Sequence, residues 1–205
     1  YVITYAAMLA GESEDLARLA ELLADADLLW KRLSERYLMV VLEALRGWLE
    51  VGEGSVGGIE KIVRSVARSR TEGETLHLTY TLLLLARARG MVGEFRQGRA
   101  ATREGLSWSH RCNQRYLEAE LWRLDGELAY RSGETEAAAA SLRSAVETAG
   151  AQGAGWLELR ALHSLASRFP DQAVHEQLGD LVKTIPSGHD LPAFRAATGL
   201  LSESG

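Results

Sequence analysis

Three glycines, Gly54, Gly93 and Gly133, stand 39 and 40 residues apart in this chain, and each lies between two apolar runs of helical period. Self-similarity at such a distance marks a supersecondary unit stacked on copies of itself. A glycine at each of these places ends a helix cleanly, because it enters positive φ without a Cβ clash. Seven residues ahead of the three lie Gly47, Ala86 and Gly126, and twelve beyond those lie Ile59, Gly98 and Ala138. These are mostly small residues, the type needed where two helices of a hairpin cross at short distance. The expected fold is all-α: an α-solenoid of about five antiparallel helical hairpins with a C-terminal capping helix.

Leu, Val and Trp recurring at i, i+3 and i+4 predict helices near 2–10, 14–30, 33–52, 56–70, 74–91, 94–109, 114–132, 135–149, 155–168, 171–184 and 191–202. The hairpins then cover 1–30, 33–70, 74–109, 114–149 and 155–184, with the cap over 191–202. Only 3 prolines in 205 residues interrupt them, so helix breakers are scarce. Ser13 ahead of Glu14-Asp15 and Thr135 ahead of Glu136 are expected to cap helices and place acid at the positive end of the dipole. Asp190 before Leu191-Pro192 sets proline early in the last helix, where its missing N–H costs little. Arg168-Phe169-Pro170-Asp171 predicts a tight break, since proline disfavours helical geometry in the residue before it. The glycine-rich stretch 52–58 reads as a turn, because no Gly-Lys-Ser/Thr follows it as in a phosphate-binding loop. In the last helix Leu191, Phe194, Ala197, Leu200 and Leu201 form one apolar stripe, suited to covering the fifth hairpin.

The series Trp122, Gly126, Gly133, Ala138, Leu142, Ala145 resembles the tetratricopeptide pattern of large, small, turn glycine, small, bulky and alanine positions. Asp125, Ala129 and Gly150 stand where that pattern has leucine, an aromatic and proline, and a period near 40 exceeds the standard 34. Over a longer span, the run from Arg115 to Leu128, with Leu45-Arg46-Gly47-Trp48 upstream and Trp156-Leu157-Glu158-Leu159-Arg160-Ala161 downstream, is similar to a known region. That region is the helical C-terminal part of bacterial class III adenylate/guanylate cyclases and of ATPase-type multidomain transcriptional or signalling regulators. The resemblance implies a single helical-repeat domain, 1–205, cut from a longer protein whose cyclase, DNA-binding or ATPase parts lie elsewhere. The opening at Tyr1 without an initiator methionine agrees with such a fragment.

Net charge is −5, with five basic and ten acidic residues over 1–53, thirteen and nine over 54–133, and five and nine over 134–205. An acidic domain argues against nucleic acid as partner. No apolar run reaches the roughly 20 residues of a bilayer span, and no basic, cleavable leader opens the chain. One lone cysteine, Cys112, fits a reducing, cytoplasmic setting.

Five histidines are scattered, and only His110 with Cys112 approaches ligand spacing; two donors do not close a zinc site, so a helix-end histidine and a buried cysteine are the plainer reading. No nucleophile elbow and no cofactor fingerprint occur, hence no catalytic residue, metal or cofactor is expected. Trp48, Trp122 and Trp156 fall where first helices meet the core. Glu120, Arg123 and Glu127 suggest ion pairing along one helix face. Eleven of the twelve arginines from Arg64 to Arg131, all but Arg70, form a band that reads as solvated surface or as a groove for an acidic segment or a phosphate-bearing ligand. First helices of stacked hairpins line a concave face. If the Trp122 unit follows the tetratricopeptide pattern, Glu120, Arg123, Glu127, Tyr130 and Arg131 lie on or near that face, with Tyr80 and Arg87 equivalent one unit earlier. The expectation is a non-catalytic regulatory module that holds a protein, peptide or small ligand there, or another domain of its parent chain. The alternative is a structural spacer or homodimerisation module acting through an end hairpin, to which the apolar start Tyr1-Val2-Ile3-Thr4-Tyr5 points.

Overall fold

The computed structural model describes residues 2–13, 15–30, 36–72, 77–189 and 191–203. Among these every regular element is helical: α1 (Val2–Glu12), α2 (Leu16–Trp30), α3 (Arg36–Gly52), α4 (Gly58–Glu72), α5 (Leu78–Met91), α6 (Phe95–Cys112), α7 (Glu118–Arg131), α8 (Thr135–Ala151), α9 (Gly155–Arg168), α10 (Gln172–Thr184) and α11 (Pro192–Glu203), with a 3₁₀ turn at Arg115–Leu117. Each expected helix is present, and its ends lie within four residues of the expectation wherever that falls on described residues; the expected starts at 14, 33 and 74 lie outside them. The three period-setting glycines, Gly54, Gly93 and Gly133, sit at φ of +92°, +84° and +82°, the left-handed geometry that ends a helix.

Two of the expected caps are corrected. Ser13 does not start α2; its hydroxyl donates to the carbonyls of Leu9 at 2.9 Å and Ala10 at 3.2 Å, closing α1. The cap is Asp15, whose carboxylate accepts the Arg18 N–H at 3.0 Å. Thr135 is already the first residue of α8, behind an uncapped Glu134. After the Pro170 break, Asp171 caps α10 by accepting the N–H groups of Ala173 and Val174 at 2.9 and 3.2 Å. Asp190 and Glu14 lie outside the described residues, while Pro192 opens α11 as expected.

The chain forms two compact units, Tyr1–Trp108 and Ser109–Gly205. In the first, α1 packs on α2 and α3, α3 on α4, and α5 on both α3 and α4. Leu42, Leu45, Ile62, Tyr80 and Leu82 to Leu84 fill this core. The α3–α4 crossing is a contact of backbones: a Cβ on Gly47 would overlap the Gly58 carbonyl oxygen, and one on Gly58 would overlap that of Gly47. The small partner is therefore Gly58, one residue before the expected Ile59, whose side chain turns into the core. Trp48 is buried as expected. Helix α5 is buried without interruption from Leu78 to Ala88, as a helix apolar on nearly all sides must be.

In the second unit α7 packs on α8, α9 lies against both, and α10 and α11 pack on α9 and on each other. At the α7–α8 crossing a Cβ on Gly126 would stand 2.6 Å from Leu142 Cγ and 3.1 Å from the Ala138 carbonyl oxygen. Asp125, in place of the pattern's leucine, is buried and accepts the Ser141 hydroxyl at 2.8 Å. The closing helix covers the fifth hairpin: Ala197, Phe194, Leu200 and Leu201 join Leu159, Leu162, Ala166, Leu178 and Ile185, with Trp156 at the edge. Leu191, assigned to the same stripe from the sequence, precedes α11 and is 42% exposed.

Gly126→Ala tests the crossing. Overpacking there is expected to cost about 1–3 kcal/mol, lowering the Tm by about 2–10 °C for a chain of this size. Gly133→Ala should cost about 1–2 kcal/mol by backbone strain instead. Thermal unfolding by circular dichroism reads both, and an unchanged Tm for Gly126→Ala would refute the close-contact account.

Candidate functional site

In the second unit the first helices of successive hairpins, α7 and α9, lie side by side, and their facing surfaces are polar. Glu120 is 1 % exposed, yet its carboxylate accepts from Arg123 Nε and Nη2 at 2.9 and 2.7 Å and from Arg160 Nη2 at 2.9 Å. Arg123 Nη1 donates onward to Ser164 Oγ at 3.2 Å. A buried carboxylate is tolerable only when paired and hydrogen-bonded in this way. Two turns along, Glu127 accepts from Arg168 Nε and Nη2 at 3.2 and 3.0 Å. The Arg168 guanidinium stands 5.0 Å over the Tyr130 ring, and Phe169 meets that ring edge-on at 5.8 Å and 88°. Cation–π and edge-to-face contacts hold these groups in a fixed arrangement. Glu120, Arg123, Glu127 and Tyr130 share one side of α7 because they are spaced by three, four and three residues, and Arg131 borders it four residues after Glu127.

Of the seven candidate residues, α7 therefore brings together Glu120, Arg123, Glu127 and Tyr130, with Arg131 exposed at its end. Tyr80 and Arg87, expected on a groove surface, are corrected to interior residues. The Tyr80 hydroxyl, in a side chain 1 % exposed, donates to the Met8 carbonyl at 3.1 Å. Arg87 is a buried bidentate partner of Glu12 at 3.2 and 2.9 Å. Glu120 too is buried, so its part at the surface is to fix Arg123 and Arg160.

The sequence reading missed Arg160, Ser164, Arg168 and Phe169. A signal for three of them was present: Arg160 lies 40 residues after Glu120, Ser164 lies 41 after Arg123, and Arg168 lies 41 after Glu127. Their partners stand one repeat away.

Several arginines of the band pair with carboxylates of the chain itself. Arg64 and Arg68 share Glu43 at 3.5 and 3.2 Å, Arg89 meets Glu94 at 2.7 Å, and Arg115 meets Glu118 at 2.6 Å. Cys112 is exposed, against the expected buried thiol, and His110 Nε2 lies 3.1 Å from Glu118 Oε1. Among the described residues no group of three or more His, Cys, Asp or Glu is placed to hold a metal ion. No helix among them is long and apolar enough to cross a membrane. A groove bounded by α9, α10 and α11 is lined by Ser167, Asp171, Gln172, His175 and Leu200.

His163, on α9 with its Nε2 3.4 Å from Ser167 Oγ, is held below its ordinary pKa of 6.5 by burial first, with Glu127 opposing and Arg123 and Arg168 reinforcing. A histidine kept neutral in the fold contributes stability that is full above its unfolded pKa and is lost as pH falls through 6.5 toward the lowered folded value. His77, buried in the first unit, is depressed in the same direction by desolvation. The acid limb of the Tm–pH curve is expected to flatten in His163→Gln, and an unaltered limb would count against this. Glu120→Ala leaves Arg123 and Arg160 without their anion; it should cost about 3 kcal/mol, measured by chemical unfolding, and a loss under about 0.5 kcal/mol, as for a surface pair, would contradict the geometry.

No protein-family model matches the chain. An uncharacterized protein of Rhizobium meliloti is 30% identical over 154 residues, which is 74% of this chain and 15% of that protein; the chain thus spans a small part of the curated relative it matches. Among solved structures, a Signal Transduction ATPase with Numerous Domains (STAND) protein with a tetratricopeptide repeat sensor, from Pyrococcus horikoshii, matches over 98% of this chain and 32% of its own, with TM-score 0.66 and 14% identity. Neither of these relatives is described as a cyclase. At that identity the likeness is one of fold, and with the geometry above it makes this chain an all-helical, tetratricopeptide-like repeat region.

Proposed function

We propose that the chain is a non-catalytic binding module of a multidomain signalling or transcription-regulating protein, working in the cytoplasm, and that the α7–α9 surface is its recognition face. The observation that carries this reading is the ordered row of Arg123, Arg160, Glu127, Arg168, Tyr130 and Phe169, paired across two adjacent first helices. Side chains already held by one another lose little freedom when a partner docks, which favours affinity. Tyr and Arg are also the residue types that most often carry binding energy at interfaces. The fold likeness to a protein with a tetratricopeptide repeat sensor supports a sensing role, and a partner would be a protein segment, a small ligand or another domain of the same parent. No catalysis is assigned to the region, because the row contains no activated nucleophile.

Tyr130→Ala with Arg168→Ala removes the exposed half of the row while sparing the buried Glu120 centre. Affinity capture from cells that make the protein, quantified by mass spectrometry, should show partners lost by tenfold or more, as expected when hot-spot side chains worth about 2 kcal/mol or more are truncated. Partners retained at wild-type levels by a variant of unchanged helical content would sink the proposal.

A further inference from the structure

His163 is the member of the α7–α9 row whose charge changes near neutral pH. It is half-buried on α9, three residues after Arg160 and five before Arg168, both of which reach across to carboxylates of α7. Its Nε2 lies 3.4 Å from Ser167 Oγ. The charged groups that act on it are Glu127 and Arg123 of α7 and Arg168 of its own helix. Helices α8, α10 and α11 also pack on α9, and among the described residues they add no charged group to these surroundings. Glu127 is the one carboxylate of the set, and it accepts both Arg168 bonds through Oε2. A protonated ring donates from both nitrogens and becomes a third cation sharing that single anion. Arg123 is the cation least able to yield: it is 15% exposed and tied to Glu120 twice and to Ser164 once. Arg168 is 38% exposed, so water can replace what it gives up.

We propose that His163 is a proton-driven switch in this face: on taking a proton it draws Glu127 to itself, and Arg168 leaves both Glu127 and its place over the Tyr130 ring. The face then has two forms, one with the guanidinium laid on Tyr130 and one with that ring bare. A partner that grips the ordered row binds the neutral form. Its affinity therefore falls by up to about tenfold for each pH unit below the titration of His163. By the reciprocity of linkage, binding of that partner keeps the imidazole neutral. This effect on affinity rests on α7 and α9 forming the recognition face; the rearrangement itself does not.

NMR on the free 205-residue chain tests it, following the His163 Cε1–H and the Arg168 Nε–H from about pH 8 to about pH 5, the range in which histidine titrates. His163→Gln and Arg168→Lys assign the two signals. The Arg168 signal is expected to shift, and to exchange faster with water, with the same midpoint as the His163 ring, below 6.5. In His163→Gln it should hold still over that range. An Arg168 signal that stays put while the ring titrates would overturn the switch, as would a ring still neutral at the acid end. So would an Arg168 signal that moves alike in His163→Gln, because the proton would then be taken up elsewhere. The wild-type titration decides the first two points even where the variant folds poorly. Partners lost on Tyr130→Ala with Arg168→Ala, alongside a stationary Arg168 signal in the wild type, would leave the recognition face standing and the switch refuted.

Discussion

Backbone contact at the hairpin crossings sets everything else in place. Gly47 meets the Gly58 backbone, and Gly126 meets the Leu142 side chain and the Ala138 carbonyl, so at each crossing one helix offers no side chain of its own. Helices this close leave a shallow groove along each hairpin, and the next first helix settles into it, as α5 does on α3 and α4 and α9 on α7 and α8. That placement brings first helices of consecutive hairpins into contact. Polar residues one period apart then face each other, and the Glu120, Arg123, Arg160 and Ser164 network follows.

The two units solve the same problem of polar groups at the junction of first helices with different chemistry. In the second unit a buried carboxylate is surrounded by guanidinium groups. In the first, Arg87 is a buried cation whose anion, Glu12, comes from α1; the Tyr80 hydroxyl bonds a carbonyl of α1. Taking ions out of water is costly, and the net gain over an apolar contact is small. What such groups supply is selectivity, since any arrangement that separates them leaves a buried charge alone.

The helices were legible in the sequence because period and turn chemistry agree locally: apolar spacing marked the bodies and Gly54, Gly93 and Gly133 marked the ends. The caps were less legible. Ser13 and Asp15 are both capping types, and which of them bonds forward depends on the backbone between α1 and α2 rather than on composition. The candidate surface was half legible. Spacing placed Glu120, Arg123, Glu127 and Tyr130 on one side of α7, but burial depends on what packs against that side. For Tyr80 and Arg87 the same spacing led to the interior, because α1 supplies the Met8 carbonyl and Glu12, 72 and 75 residues away. Such long separations leave no local trace.

Hydrogen bonds between residues 40 and 41 positions apart also restrict how a chain of this kind can change its length. An insertion of a few residues within α8 would move α9 around and along its axis, carrying Arg160 and Ser164 away from Glu120 and Arg123. A whole additional hairpin, placed between turns, would carry its own complement of facing groups and leave the existing ones in register. Lengthening is thus permitted in integral steps and penalised in between, so the spacing of charges acts as a ruler that counts hairpins.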